Sequence, residues 1–292
     1  MKAIFSHGAA LLYHADCLDW LRLRRKQTIH GVVTDPPYGL VEYSEHQLSR
    51  RDGRTQGVWR VPPAFDGYRR NPVPRFTTLT DADREALLRF FQGWAEALYP
   101  TLVPGAHVVV ATNPLVSFIV ADALHRRGFE RRGQIIRLVQ TMRGGDRPKN
   151  ADKEFTDVSV MPRSMWEPWL LFRKPIEGTV HENLRRWGTG GLRRISDTKP
   201  FGDVIRSRPT LPAERAIAPH PSVKPQAFLR QVVRAVLPLG TGVVLDPFAG
   251  SGSTLAACEA MGVRSIGVEM NEDYCGMAIS AIPKLAANPA PN

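Results

Sequence analysis

Cysteine is scarce in this chain, with three in 292 residues, at positions 17, 258 and 275. None lies in a Cys-x-x-Cys pair or has a histidine at metal-ligand spacing, so neither a disulfide framework nor a metal site is expected. Buried thiols in a reducing, cytoplasmic compartment fit better. No apolar run reaches the ~18 residues of a membrane span. The apolar N-terminal stretch is interrupted by His7, His14 and Asp16, unlike a signal peptide. No segment repeats. No glycine turn leads into Gly-Lys-Ser/Thr, which disfavours a P-loop for nucleoside triphosphates.

Acidic residues are the minority, 28 Asp and Glu against 39 Lys and Arg, for a net charge of +11. Such a balance points to an anionic partner, unless it is only arginine-rich composition. Residues 126–215 hold 20 Lys and Arg against 11 Asp and Glu, and 43–75 hold 7 against 3. These two surpluses exceed the whole-chain charge, so the remainder is slightly acidic. That concentration favours a binding surface. At 43% hydrophobic content the chain can bury the core of one large domain, 1–292, with an insertion.

Apolar β-type runs lie at 10–14, 29–34, 107–111, 134–139, 166–172, 243–245 and 265–268. Several are nearly continuous, as strands covered on both faces are. Helical periodicity lies between them. It starts after Thr80 with a capping signal and continues through Leu87, Leu88, Phe91, Trp94, Ala95 and Leu98. Further helices are expected at 17–23, 115–126, 227–236 and 254–261. This alternation predicts an α/β fold with a doubly wound, Rossmann-like sheet. Residues 39–80 and about 140–215 lack the pattern and are the two basic segments. Stretches this long are usually lids or binding elements. The Ala-, Pro- and Asn-rich tail after Ile282 is expected to fray.

Asp246-Pro-Phe-Ala-Gly-Ser-Gly-Ser-Thr254 follows an apolar strand. Gly250 and Gly252 permit a tight turn and close approach to a ligand. Ser253 and Thr254 would open the next helix, whose free N–H groups favour a carboxylate. The next strand ends in Glu269, where a carboxylate can accept hydrogen bonds from both ribose hydroxyls. A lone glycine turn means only a turn, but this pairing suits an adenosyl cofactor. In His220-Pro-Ser-Val-Lys-Pro225, Lys224 and Ser222 can bind a methionyl carboxylate; the alternative is a proline-fixed loop with a solvated lysine. Asp16 can accept from an adenine amino group or cap the helix that begins at Cys17.

Asp35-Pro-Pro-Tyr38 follows another strand. The lone pair of an exocyclic amine on adenine or cytosine is delocalised into the ring. A carboxylate and a carbonyl accepting both N–H groups draw the nitrogen toward tetrahedral geometry. Asp35 and the carbonyl of Pro36 can do so, because proline fixes φ and removes a competing donor. Tyr38 offers a stacking face to a base turned out of its helix. Tyr38 and Phe248 also present rings to a sulfonium. Alone, Asp-Pro-Pro-Tyr is a proline-rich turn; with the glycine turn it suggests methyl transfer to an amine. C5-cytosine methylation needs a thiolate, and no cysteine here follows a proline.

Together these motifs resemble the amino-methylating (N6-adenine/N4-cytosine) site-specific DNA methyltransferases, in the circularly permuted β-class order. Asp35, Pro36, Pro37 and Tyr38 match the family's catalytic motif. Asp246, Phe248, Ala249, Gly250, Ser251, Gly252, Ser253 and Thr254 match its cofactor loop, with Ser253 where Thr is common. Gly267-Val-Glu-Met-Asn271, with Glu269 and Asn271, matches the ribose-binding strand end. His220, Ser222 and Lys224 lie in the motif before the loop, and Asp16 and Cys17 in the adenine-contacting segment. The resemblance covers about 10–280. It implies S-adenosyl-L-methionine as donor, double-stranded DNA as substrate, base flipping and frequently a homodimer, and it leaves open a cognate restriction endonuclease as a partner. It makes 39–80 a mobile DNA-contacting loop and 140–215 the target-recognition region; the C-terminal extension of some members is lacking.

Asp before Pro-Pro-Tyr resembles the adenine-N6 enzymes, where cytosine-N4 enzymes usually carry Ser. Adenine-N6 is therefore the reading taken. The alternatives are cytosine-N4 or RNA methylation, a DNA-binding regulator without turnover, and a nicotinamide oxidoreductase, which no hydride-transfer domain supports. Arg143, Arg147, Lys149, Arg193 and Arg194 are the candidates for contacting DNA. If Arg-rich segments grip phosphates, duplex affinity measured across a salt series should fall with a log–log slope of roughly 0.9 per phosphate contacted. A flat salt response would contradict an electrostatic grip.

Overall fold

A computed structural model describes residues 1–37, 64–65, 68–69, 80–139, 145–220 and 222–288. In chain order the elements are β1 (Phe5–His7), β2 (Ala10–His14), α1 (Cys17–Arg22), β3 (Ile29–Thr34), β4 (Ala64–Phe65), β5 (Tyr68–Arg69), α2 (Asp81–Leu98), β6 (Leu102–Ala111) and α3 (Ser117–Arg126). There follow β7 (Glu130–Leu138), β8 (Trp166–Arg173), α4 (Val180–Trp187), β9 (Val204–Arg206), α5 (Pro212–Ile217), α6 (Gln226–Val236), β10 (Val243–Asp246), α7 (Ser253–Glu259), β11 (Arg264–Glu269) and α8 (Glu272–Ala287).

Nine strands form one sheet in the order β1-β2-β11-β10-β3-β6-β8-β7-β9, and β4 pairs with β5 separately. From β2 to β6 all neighbours are parallel. β8 runs antiparallel between β6 and β7. The chain leaves β10 toward β11 on one side and β3 toward β6 on the other. The winding therefore reverses between β10 and β3, where open α/β sheets bind their ligands.

Strand side chains alternate between two cores. Val32, Val108, Val110 and Leu245 face a cluster with Trp20, Phe91, Trp94 and Leu124 from α1, α2 and α3. Val33, Val109, Ala111 and Val244 face Phe228, Val232 and Val236 of α6. Because helices cover both faces, β6 is buried throughout and reads as one apolar run. α2 starts on a reciprocal cap: the Asp83 N–H donates to Thr80 Oγ1 and the Thr80 N–H to Asp83 Oδ2. Its buried stripe is Leu87, Phe91, Trp94, Ala95 and Leu98. Each large side chain in it contributes about 1.5–3 kcal/mol on burial.

Every strand expected from sequence is present. β7 begins earlier than its apolar run, since its first half is an exposed edge carrying Arg131 and Arg132. The expectation of a frayed tail is corrected: α8 continues through Pro283 to Ala287, with Ile282 and Leu285 fully buried. The Arg230 guanidinium donates to the carbonyls of Leu285, Ala286 and Asn288, closing that helix end. The stretch 140–215 is also more ordered than its lack of periodicity suggested. Besides the expected strand β8 it supplies β9 to the main sheet, and α4 docks on β6 through Asn183, whose amide donates to the carbonyls of Pro104 and Thr189.

His107 in β6 is buried beside Arg173 and Arg132. Burial first, then those two cations, hold its imidazole down at about 3. The folded state thus keeps His107 neutral, while the unfolded chain protonates it below pH ~6.5. Stability should fall as pH drops from ~6.5 toward 3, by up to about 1.4 kcal/mol per pH unit from this group. Unfolding curves of His107→Leu over that range should have a shallower pH slope than wild type. Equal slopes would remove the assignment.

Candidate active site

β3 and β10 lie side by side in register, Val244 opposite Gly31 and Leu245 opposite Val32, so their tips end together. Thr34 Oγ1 donates to Asp246 Oδ1 at 2.7 Å. The Phe248 N–H also reaches Asp246 Oδ1, at 3.2 Å, and Thr254 bonds the same carboxylate. Burial raises the Asp246 pKa to about 6, partly opposed by those three donors, with the charge of Asp35 adding to the rise.

Gly250 (φ 49°) and Gly252 (φ 78°) occupy the left-handed region. A Cβ on Gly252 would lie 2.5 Å from Ile282 Cγ1, so both conformation and packing require glycine. Glu269, at the β11 tip, accepts the Gly250 N–H on Oε2 at 2.7 Å and the Asn271 N–H on Oε1 at 2.8 Å. The His220 ring lies against the same turn, 3.4 Å from where a Gly250 Cβ would sit, and meets Tyr274 edge-on. Ala249, Ser251 and Ser253 line the turn as buried residues.

Asp35 follows β3, with Pro36 buried behind it. Its Oδ2 accepts Ser222 Oγ at 2.7 Å and Lys224 Nζ at 2.8 Å. Lys224 also reaches Glu167 Oε1 at 3.3 Å. Burial acts to lower the Lys224 pKa, but Asp35 and Glu167 outweigh it and the net shift is upward, so the ammonium stays charged.

Several sequence expectations are sharpened or corrected by this geometry. Lys224 is not a solvated lysine: it is buried and clamps the Asp35 carboxylate. Asp16 is a helix cap, its Oδ1 accepting the N–H groups of Leu18 and Asp19. Asn271 likewise caps α8 through the Tyr274 N–H. The Phe248 ring packs against Trp94 and Phe90 of α2. Burial pushes the Cys17 thiol up to about 12 and Cys275 to about 11, and raises Cys258 further, so none supplies a thiolate. Arg147 and Lys149 are exposed. Arg193 and Arg194 are not near the strand tips. The Arg193 guanidinium lies against Gly240, at the start of β10, and the Arg194 carbonyl accepts Arg234 of α6. Tyr38 and Arg143 lie outside the described residues.

Thr34, Glu167 and Arg137 escaped the sequence reading. A signal existed for the last two, which are charged residues interrupting the apolar run of β8 and the apolar second half of β7.

A Rossmann-like sheet that brings a glycine turn and an Asp-Pro-Pro carboxylate to one switch point defines the class of amino-group methyltransferases. The family model described as DNA methylase, of the N6/N4 type, matches residues 29–280, and the chain belongs to that family. It is 22% identical over 281 residues to the type II methyltransferase M2.DpnII of Streptococcus pneumoniae, covering 95% of this chain and 91% of that protein. Over 60 residues, 20% of this chain and of the relative, it is 43% identical to the DNA adenine methyltransferase YhdJ of Escherichia coli. In fold it is similar to the cytosine-N4-specific PvuII DNA methyltransferase, with a TM-score of 0.63 at 14% identity over 98% of this chain and 94% of that one. It is also similar to a putative DNA modification methylase from Thermus thermophilus complexed with S-adenosyl-L-methionine, with a TM-score of 0.58 at 19% identity over 96% of this chain and 95% of that one. Among the described residues no helix is long and apolar enough to cross a membrane.

The raised pKa of Asp246 gives a test of its burial. The folded state holds this proton more tightly than the unfolded chain. The resulting stability is fully present below pH ~3.8 and is lost as pH rises through ~6. Asp246→Asn has no proton to lose there. Its unfolding free energy relative to wild type should therefore improve by roughly 2–3 kcal/mol between pH 4 and 7.5. A difference that stays constant with pH would count against the buried charge.

Proposed function

We propose that this protein transfers the methyl group of S-adenosyl-L-methionine to the N6 amine of adenine in double-stranded DNA, with the base turned out of the helix. The carrying observation is the joined tips of β3 and β10: Asp35 and the glycine turn are neighbours, stitched by the Thr34–Asp246 hydrogen bond. The left-handed turn at Gly250 and Gly252 and the carboxylate of Glu269 beside it form a cradle that fits an adenosyl cofactor.

The cofactor, when bound, supplies a methyl group on an electrophilic sulfonium. The chain's own residues prepare the amine. Asp35 accepts one N–H and the Pro36 carbonyl the other, drawing the nitrogen lone pair out of the ring. Ser222 and Lys224 fix the carboxylate that does this. Tyr38 supplies a stacking face to the extruded base. Adenine is favoured by Asp at position 35 and by the local likeness to an adenine methyltransferase. Cytosine-N4 is the second reading, favoured by the fold likeness to the PvuII enzyme. Target recognition is assigned to 140–215, within which exposed Arg147 and Lys149 precede β8, the strand that brings Glu167 to the site.

Purified protein given methyl-labelled cofactor and duplex DNA should yield labelled N6-methyladenine after digestion to nucleosides. Asp35→Ala should lower the rate by at least about 10²–10³-fold while cofactor binding persists. Lys224 keeps Glu167 as counter-ion in that variant, so no buried charge is orphaned. Labelled N4-methylcytosine would install the second reading. Absence of label would leave a DNA-binding protein without turnover.

A further inference from the structure

We propose that Glu167 is a positioning residue for methyl transfer, acting through Lys224 on Asp35, with Arg137 as its anchor; this rests on the reading above. The four side chains form a line of alternating charge. Asp35 Oδ2 meets Lys224 Nζ at 2.8 Å, and Lys224 Nζ meets Glu167 Oε1 at 3.3 Å. Glu167 Oε2 meets Arg137 Nη1 at 2.9 Å. None of these side chains is more than 16% exposed. Arg137 is fixed in turn by Ser207 Oγ at 3.0 Å and the Arg208 carbonyl at 3.2 Å, and its guanidinium lies near the Phe228 ring. Arg137 and Glu167 are directly opposed in the β7–β8 ladder, so the sheet itself sets the register of the line.

Lys224 needs only one carboxylate to be neutralised, and Asp35 is the closer. A second carboxylate on the same ammonium divides its pull. An Asp35 bonded to an undivided ammonium is a weaker acceptor for the amine hydrogens of a base, because its negative charge is already claimed. Glu167 relieves that claim, and Arg137 holds Glu167 in place. The Lys224 backbone does not depend on this line. The Val223 carbonyl accepts Thr210 Oγ1, and Glu214 receives the N–H groups of Leu211 and Gln226 on either side of the loop. A change at position 167 therefore alters the charge on Lys224 more than the course of its chain.

The test compares wild type, Glu167→Gln and Glu167→Asp. It measures single-turnover methyl transfer at saturating S-adenosyl-L-methionine and duplex DNA, the affinities for each, and the unfolding midpoint. Gln keeps the size and removes the charge; Asp keeps the charge and loses a methylene. Transfer by Gln should fall on the order of 10–100-fold with both affinities within about threefold of wild type, and Asp should lie between Gln and wild type. A packing role predicts the reverse order, with isosteric Gln closest to wild type, and that result overturns the proposal. So does a Gln rate equal to wild type, or a loss matched by weaker cofactor or DNA binding. Should Gln not fold, Glu167→Asp is read together with its unfolding midpoint: slowed transfer at unchanged affinities and an unchanged midpoint supports the role, whereas an unchanged rate, or a slowed rate accompanied by a lowered midpoint, removes it. A wild type that never methylates DNA removes the functional reading and this inference with it. An active wild type with an indifferent position 167 removes only the inference.

Discussion

The site depends on one contact between distant parts of the chain: the Thr34 hydroxyl donating to the Asp246 carboxylate across 212 residues of sequence. It closes the tips of β3 and β10, which the parallel ladder has already brought level. Each side of that seam carries half of the proposed chemistry. β3 leads into Asp35-Pro-Pro, and β10 leads into the left-handed glycine turn. Asp246 is buried to make the join, at an electrostatic cost that three donors reduce. A buried carboxylate placed for local stability alone would be poorly chosen, whereas one that fixes two strand tips against each other gives the site its geometry.

Basic residues do two different jobs here, which tempers the meaning of net charge. The surplus in 126–215 looked like a surface for an anion, yet three of its twenty cations, Arg137, Arg173 and Lys174, work inside the protein. Arg137 holds a buried ion pair with Glu167, and the buried Arg173 pairs with half-buried Glu130. Lys174 donates to the carbonyls of Tyr99 and Leu102, sealing the start of β6. A cation aligned with a sheet edge or a helix end satisfies backbone and carboxylate groups that would otherwise be buried unpaired. Arg147 and Lys149 of the same segment stay exposed.

Much of the fold was legible because strands between two helical layers are apolar on both faces. The runs at 29–34, 107–111 and 243–245 announce themselves for that reason, as does α2 through Thr80 and its 3.6-residue stripe. The turn at Gly250 and Gly252 was legible because a conformation needing φ > 0 admits little besides glycine. What stayed hidden was decided by partners far away in sequence. The tail after Ile282 looked frayed by composition, whereas Arg230 and the buried Leu285 hold α8 through Ala287. Lys224 looked solvated or free for a ligand, because Glu167 and Asp35 lie 57 and 189 positions upstream of it. Arg193 and Arg194 looked like DNA contacts by charge alone, and the topology put them at the opposite ends of the strands.

The order of elements has a consequence for biosynthesis. The acceptor half of the site leaves the ribosome with β3, while its partner strand is translated long afterwards. Until β10 and β11 arrive, β3 has an unpaired edge and the central seam of the sheet is open. A nascent chain therefore carries no working centre, and activity switches on only when the two late strands slot into the gap between β2 and β3. Modification of DNA by a half-made enzyme is thereby prevented by topology alone.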